Sequence, residues 1–310
     1  MKNILVIGGS YFAGRVCVEE LAKRSDLAIH VFNRGRQPLR MAGITELRGD
    51  REQAEQIRSV IPPLDWEAVI DFCAYTPAHI DTLLANLPGT VKHYIFISTT
   101  SVLQKSSILP AIEAGATLSG PQSELGAYAD YGYDKLRAEN ALRAAAERSG
   151  LAYTILRPAI IYGYYNYAPR ESYFFDLLCR HQPIVIPEND LALFSFIWVV
   201  DMARLISHCI ADERTYTQTY NLAAGELVSY SRIVAALGEI TGKNLVPVRL
   251  SAAEIDRQGI PLPFPLNEHL LYSGTKIQHL FDFVYTPFKN GLREALKYYL
   301  MVKQQRSPAS

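Results

Sequence analysis

The sequence predicts an α/β protein built on a doubly wound parallel sheet, with a smaller C-terminal substrate lobe. Three observations predict it. Short apolar runs alternate with amphipathic stretches through the first half, a glycine-rich turn joins the first run to the first such stretch, and the pattern loosens after about Gly163. Strands that alternate with helices need right-handed crossovers, which make the sheet parallel. With 310 residues, 49% of them hydrophobic and 20% charged, the chain is long enough for two lobes around cores that need no metal or disulfide.

The elements follow in order. Asn3–Ile7 reads as a buried strand, Gly14–Lys23 as a helix with Val16, Val18, Leu21 and Ala22 inward, and Ala28–Phe32 as the second strand. Ala68–Phe72 and His93–Ser98 are two more short apolar runs. Ala127–Ser149 reads as one long alanine-rich helix stopped at Gly150, and Tyr153–Leu156 as a strand halted at Arg157-Pro158. Tyr164–Ser172, aromatic and polar without a period, reads as a loop over a cleft. Phe196–Ile210 is a strand and helix, Thr219–Leu222 a further strand, Val246–Pro265 an irregular proline-rich stretch and Gly291–Leu300 a terminal helix. Gln304–Ser310 should fray. Residues 1–165, completed by about 196–224, then form the first lobe, and about 166–195 with 225–303 the second.

Composition narrows the function classes. Lys+Arg and Asp+Glu balance at 31 each, so the chain as a whole lacks the basic field that holds nucleic acid or an anionic membrane. No apolar run reaches the ~18 residues of a membrane span, and the N-terminal run is too short for a signal peptide. Cys17, Cys73, Cys179 and Cys209 have no C-x-x-C spacing and read as core fillers, which suits a reducing cytoplasm. The seven histidines show no metal-ligand spacing, and no metal is expected. Hydrolase and kinase readings have no anchor in the motifs.

The strand Ile4–Ile7 runs into Gly8-Gly9-Ser10-Tyr11-Phe12-Ala13-Gly14, the context of a dinucleotide-binding turn, and makes the sheet Rossmann-like. Gly8 permits the tight turn, Gly9 lets backbone amides approach a phosphate and Gly14 lets the helix pack on the sheet. The helix N-terminus then faces a pyrophosphate. Tyr11 stands where a middle glycine would fall, so its side chain must be steered off the phosphates. After the second strand comes Asn33-Arg34-Gly35-Arg36, with no carboxylate for a ribose 2′-hydroxyl. Arg34, and Arg36 beside it, suit a 2′-phosphate, so the reading favours NADP, with NAD the alternative. Solvated loop arginines are the other reading.

Tyr131 and Lys135 lie one helical turn apart. A nearby ammonium would lower the phenol's pKa and let it exchange a proton with a substrate hydroxyl or ketone near neutral pH. The strand ending at Ser98 leads into Thr99-Thr100-Ser101, at the carboxyl end of a parallel strand where chemistry gathers.

With glycine turn, hydroxyl cluster and Tyr-x-x-x-Lys in order, the chain resembles an extended short-chain dehydrogenase/reductase, often labelled NAD-dependent epimerase/dehydratase. Leu156-Arg157-Pro158-Ala159-Ile160-Ile161-Tyr162-Gly163, Phe196-Ile197-Trp198-Val199-Val200-Asp201-Met202-Ala203, Tyr220-Asn221-Leu222-Ala223 and Ile240-Thr241-Gly242-Lys243 are similar to later motifs of that family. The resemblance implies Tyr131 as acid/base, Lys135 as its partner and holder of the nicotinamide ribose, and Thr99, with Ser98 as alternative, on the reacting oxygen. It implies cofactor contacts at Asp50 and Arg51, at Phe72, Cys73 and Ala74, and at Pro158. Thr100, Ser101, Ile160 and Tyr162 would face substrate. It also implies a small-molecule substrate, a sugar or sugar nucleotide, and a homodimer.

Departures refine this. Thr99-Thr100-Ser101 lacks the acid pair of sugar-nucleotide dehydratases, leaving epimerisation or ketone reduction. Ile160 and Phe194 stand where relatives that bind sugar nucleotides carry an asparagine and an arginine, and losing that arginine removes a charge-assisted bond of about 1.5–3 kcal/mol. Arg170, Arg180 or Arg204 are the candidate replacements, while Tyr162, Tyr164, Tyr165 and Tyr167 line the cleft wall or pack its loop. The G-G-x-x-F-x-G turn is also similar to that of chloroplast RNA-binding relatives of the same fold. Zero net charge and the retained Tyr131 and Lys135 weigh against nucleic acid as partner, and a cofactor-binding member without turnover is a further alternative.

Overall fold

The computed structural model describes residues 1–306. The first half alternates as the periodicity requires: β1 (Lys2–Ile7), α1 (Phe12–Leu21), β2 (Leu27–Asn33), β3 (Ile44–Arg48), α2 (Ala54–Val60), β4 (Leu64–Asp71), α3 (Pro77–Asn86), β5 (Gly89–Val91), β6 (His93–Ile97), α4 (Tyr131–Ser149) and β7 (Ala152–Pro158). The second half adds β8 (Ile160–Tyr162), α5 (Glu171–Cys179), β9 (Val185–Pro187), β10 (Phe194–Trp198), α6 (Val199–Cys209), β11 (Gln218–Leu222), β12 (Leu227–Val228), α7 (Tyr230–Thr241), β13 (Val248–Leu250), α8 (Ala252–Arg257), α9 (Thr275–Phe281) and α10 (Phe288–Arg306).

Seven strands form one parallel sheet in the order β11-β7-β6-β4-β1-β2-β3, with short β5 paired to the start of β4. Alternation along the strands splits the core between its two faces. Ile4, Val6, Ile29, Val31, Ile70 and Ile95 pack under α1 and α6, and Leu5, Ile7, Phe32, Val69, Tyr94 and Phe96 under α2, α3 and α4. Strands covered on both faces read as continuous apolar runs. The strand order reverses between β1 and β4, so the crevice above their carboxyl ends is the place for a ligand. Two smaller sheets, β12-β10-β8 and β13-β9, lie outside the main one.

Several boundaries move. The long helix starts at Tyr131, not Ala127, because a 3₁₀ turn over Ser123–Tyr128 intervenes and Gly126 within it has φ 55° and ψ −119°. Tyr131 therefore opens α4. The stop at Gly150 is a left-handed C-cap, φ 73°. Tyr164–Ser172 is loop only to Arg170, since α5 begins at Glu171. The proline-rich Val246–Pro265 stretch contains β13 and α8, the latter capped by the Ser251 hydroxyl. Gln304–Arg306 continue α10 instead of fraying, and residues 307–310 of the expected tail lie outside the described residues. β3, α2 and α3 were not legible in the periodicity, being short and half-exposed.

Candidate active site

The turn between β1 and α1 is built by close approach. Gly8 has φ +86°, and a Cβ there would lie 2.0 Å from Cys73 Sγ. A Cβ on Gly14 would lie 2.7 Å from the Gly8 carbonyl oxygen, while the missing side chain of Gly9 makes room for Val6 and Val18. No side chain caps α1, so its first N–H groups face the crevice unclaimed by a cap. The Tyr11 ring is steered onto Tyr167, centroids 5.1 Å apart and planes 19° apart, with Phe12 edge-on to the same ring.

From this turn a cavity of about 330 Å³ runs past Ser10, Asn33, Arg34, Arg36, Asp50, Arg51 and Cys73. A dinucleotide fits here on two observations. The uncapped helix end matches a pyrophosphate, and Asn33 Nδ2 is buried without a partner while its Oδ1 accepts from Gly35 N at 2.6 Å. Arg34 and Arg36 stand exposed at the rim. Arg51 differs from expectation. Its guanidinium turns inward onto Asp71, at 2.6 and 2.8 Å, and onto the His79 carbonyl at 2.6 Å, so its charge is spent on the protein.

A second cavity of about 340 Å³ adjoins the first across Gly8, Tyr11, Cys73 and Tyr75. Thr99, Thr100, Ser101, Tyr131, Lys135, Phe72, Pro158 and Ile160 line it. Thr99 follows β6 and lines this cavity with Tyr131, its hydroxyl near enough to the phenol to lower its pKa. Gly132 brings the two together, since a Cβ there would lie 2.4 Å from the Ser101 carbonyl oxygen. Tyr131 as a residue remains 41% exposed, yet its hydroxyl lies deep in the cleft. Desolvation holds the phenol's pKa above its ordinary value, against the Thr99 hydroxyl and the Arg170 charge, which lower it. This corrects the expected downward shift by Lys135. That ammonium is turned inward, donating to the carbonyls of Ala74 at 2.7 Å and Ile97 at 2.8 Å and lying over the Tyr75 ring. Burial pushes Lys135 down to about 8, with the Asp71 charge opposing.

One candidate leaves the cavity, and another lines it but commits its hydroxyl elsewhere. The Ser98 hydroxyl donates to Glu139 at 2.6 Å, inside the protein, which leaves Thr99 as the hydroxyl beside Tyr131. Tyr162 is 2% exposed and packed among Phe196, Trp198 and Phe288, so it is core and does not line the cavity. Of the other cleft tyrosines only Tyr167 lines this second cavity, and Tyr164 packs on Trp198 and Tyr298.

Sequence reasoning missed the two buried ionic networks beneath the site. Asp71, fully buried at the end of β4, accepts from Arg51, the Tyr94 hydroxyl, and the amides of Cys73 at 2.8 Å and Ala74 at 3.0 Å. Burial alone would raise its pKa, but the Arg51 charge and these hydrogen bonds outweigh it and hold the carboxyl below its ordinary value. Glu139, on α4, receives Arg157 in a bidentate pair at 2.9 and 2.7 Å, together with Ser98. An acidic residue closing an otherwise apolar strand was the available signal for Asp71.

The chain is similar to known proteins over most of its length. Residues 4–223 match the NAD dependent epimerase/dehydratase family model. A chloroplast stem-loop binding protein of 41 kDa from Arabidopsis thaliana is 26% identical over 78% of this chain, and the chain spans 64% of that relative's length. A UDP-glucose 4-epimerase from Vibrio cholerae is 26% identical over 76% of this chain and 75% of its own. The solved structure of a Bacillus cereus UDP-glucuronic acid 4-epimerase, with UDP-glucuronic acid and NAD, superposes with a TM-score of 0.75 at 17% identity, covering 97% of this chain and 99% of its own. A parallel sheet with a glycine turn at its switch point, and a family match across nearly all of that sheet, together place this chain in the NAD dependent epimerase/dehydratase family, an enzyme family of the extended short-chain dehydrogenase/reductase type.

Proposed function

We propose that this protein is a nicotinamide-dependent oxidoreductase or epimerase acting at a carbinol or ketone carbon of a sugar or sugar-nucleotide derivative. The observation that carries the reading is that Thr99, Tyr131 and Lys135 line one cavity, and that this cavity adjoins the dinucleotide-sized trench. In this reading residues 1–165 with 196–224 hold the cofactor, and 166–195 with 225–303 close over the substrate. The preferred cofactor is NADP, because Arg34 and Arg36 stand at the rim next to Asn33 where an acidic residue would select NAD.

Gly8, Ser10, Asn33 and Arg34 would hold the dinucleotide, whose nicotinamide would supply a hydride acceptor and donor for the reacting carbon. The chain's own residues handle the oxygen. With its pKa raised, Tyr131 carries its proton at neutral pH, the form that donates to a carbonyl oxygen. Thr99, on the same cavity wall, offers a second hydrogen bond to the same oxygen. Lys135, held on two carbonyls, supplies a fixed positive charge at the floor of the cavity. Among the described residues no carboxylate lines this cavity, so elimination of water is not part of the proposal.

The likeness to the stem-loop binding protein favours a second reading, an RNA-binding member without turnover. Calorimetric titration with NADPH, NADH and UDP-sugars at matched salt separates the two. Tight NADPH binding, with hydride transfer abolished by Tyr131→Phe while cofactor affinity stays within about twofold, supports the enzyme. UDP-sugar binding separates a sugar-nucleotide substrate from a ketone without a nucleotide. Absence of any dinucleotide binding overturns the enzyme reading and leaves stem-loop RNA as the ligand to titrate.

A further inference from the structure

The catalytic cavity has an unbalanced charge. Among the described residues, Lys135 and Arg170 are the only charged side chains lining it. Lys135 is committed to the Ala74 and Ile97 carbonyls. Arg170 is not similarly spent: its Nη1 donates to the Ile161 carbonyl at 2.7 Å, and a guanidinium carries five N–H donors. The adjacent Glu171 carboxylate turns into the loop, where it accepts from Gly163 N and Asn166 Nδ2 at 2.8 Å each. Among the described residues Arg170 has no carboxylate within 4.0 Å. The other two candidate arginines sit elsewhere, Arg180 3.8 Å from Asp176 and Arg204 at 3.7 Å from both Glu20 and Asp201. The loop that carries Arg170 is anchored through the Tyr167–Tyr11 stack, and the guanidinium is close enough to Tyr131 to act on its phenol electrostatically.

We propose that Arg170 is a specificity-determining residue that pairs with an anionic group, a carboxylate or a phosphate, carried by the substrate beside the carbon that reacts at Tyr131. This rests on the oxidoreductase reading for the reacting carbon, but not for the anion site itself. A planar guanidinium offers a carboxylate or phosphate two parallel bonds, and with no acidic residue lining the cavity, nothing repels the incoming anion. A charge-assisted pair of this kind discriminates an anionic ligand from its neutral analogue by about ten- to a hundredfold.

The test uses wild type, Arg170→Lys and Arg170→Gln, each saturated with NADP⁺ and titrated with D-glucose, D-glucuronate and D-glucose 6-phosphate. Wild type should bind at least one anionic sugar tenfold or more tighter than glucose, and the tighter one identifies carboxylate or phosphate as the source. R170Q should lose the preference without a change for glucose, and R170K should keep part of it, which a purely structural role would not produce. Where no hexose binds, acetate and inorganic phosphate serve as minimal probes read by NMR shifts. Equal anion binding by wild type and R170Q, or a preference that survives in R170Q, overturns the proposal. NADP⁺ affinity measured on the same samples keeps the failures apart. Lack of cofactor binding by wild type removes the oxidoreductase reading, while the anion probes still report on Arg170 in the apo protein.

Discussion

Asp71→Asn is the perturbation whose magnitude the structure fixes best. The carboxylate is fully buried and its partner Arg51 is 8% exposed, so removing the charge strands a guanidinium in the interior. Asparagine retains one carbonyl oxygen for the Cys73 and Ala74 amides, but its NH₂ faces the donors of Arg51 or Tyr94. Breaking a buried pair by deleting one partner costs about 3–5 kcal/mol, and the retained amide bonds place the expectation at the lower end, about 3 kcal/mol. Urea unfolding should show this as a lower midpoint at unchanged slope. The second arm is Asp71→Asn with Arg51→Met. Because the stranded cation is then gone, the double variant should be more stable than the Asp71→Asn single, a non-additivity that a simple packing loss would not give. The sign with pH is fixed too. The folded carboxyl lies below its unfolded value of about 3.9, so this stabilisation is present above pH ~4 and is lost as pH falls below it. Wild type should therefore lose stability on acidification over that range more steeply than Asp71→Asn. A single-variant loss under about 1 kcal/mol, or an additive cycle, would refute the reasoning.

Three further outcomes are expected. Arg34→Ala should weaken NADPH about tenfold and leave NADH unchanged, since one charge-assisted contact is lost; equal effects on both would show that Arg34 does not read the 2′-phosphate. Lys135 sits near pKa 8 in the free protein, so cofactor affinity measured from pH 6 to 10 should fall as the ammonium is lost above about 8, and Lys135→Met should flatten that limb. Gly8→Ala places a Cβ 2.0 Å from Cys73 Sγ at φ +86°, so thermal unfolding should show a large loss of stability. Adding Cys73→Gly should recover only the part due to the clash, leaving the cost of the left-handed backbone.

The sheet was legible because strands buried on both faces leave continuous apolar runs, and six of its seven main strands were read to within four residues at each end. β3 was not, since only one partner strand covers it and its side chains are half-exposed or exposed. The start of α4 was misread for a different reason. Alanines before Tyr131 suit a helix locally, but the backbone breaks at Gly126, and propensity says nothing of that. Spacing singled out Tyr131 and Lys135, the family resemblance added Thr99, and all three line one cavity. What spacing concealed was which way each side chain turns: Ser98 and Thr99 are neighbours, yet the Ser98 hydroxyl is spent on Glu139 and the Thr99 hydroxyl on Ser101.

The unread residues share a physical role that links fold to site. Asp71, Glu139 and Arg157 are charges withdrawn from water beneath the cavity, an arrangement that contributes little net stability unless the pairing is complete. Their hydrogen bonds end on groups that border the proposed site. Asp71 holds the Ala74 amide, and the Ala74 carbonyl holds Lys135; Glu139 holds Ser98, whose neighbour Thr99 lines the cavity with Tyr131. The polar pairs thus fix the loops after β4 and β6 at the height where two cavities meet. A rigid floor of this kind lets Lys135 stay charged at neutral pH although it is 2% exposed, because backbone carbonyls and the Asp71 field offset its desolvation. Replacing these pairs by apolar residues would be tolerated by the core, but it would free the peptides that orient the lysine. The cost would then appear first in cofactor affinity and turnover, and only second in the unfolding midpoint.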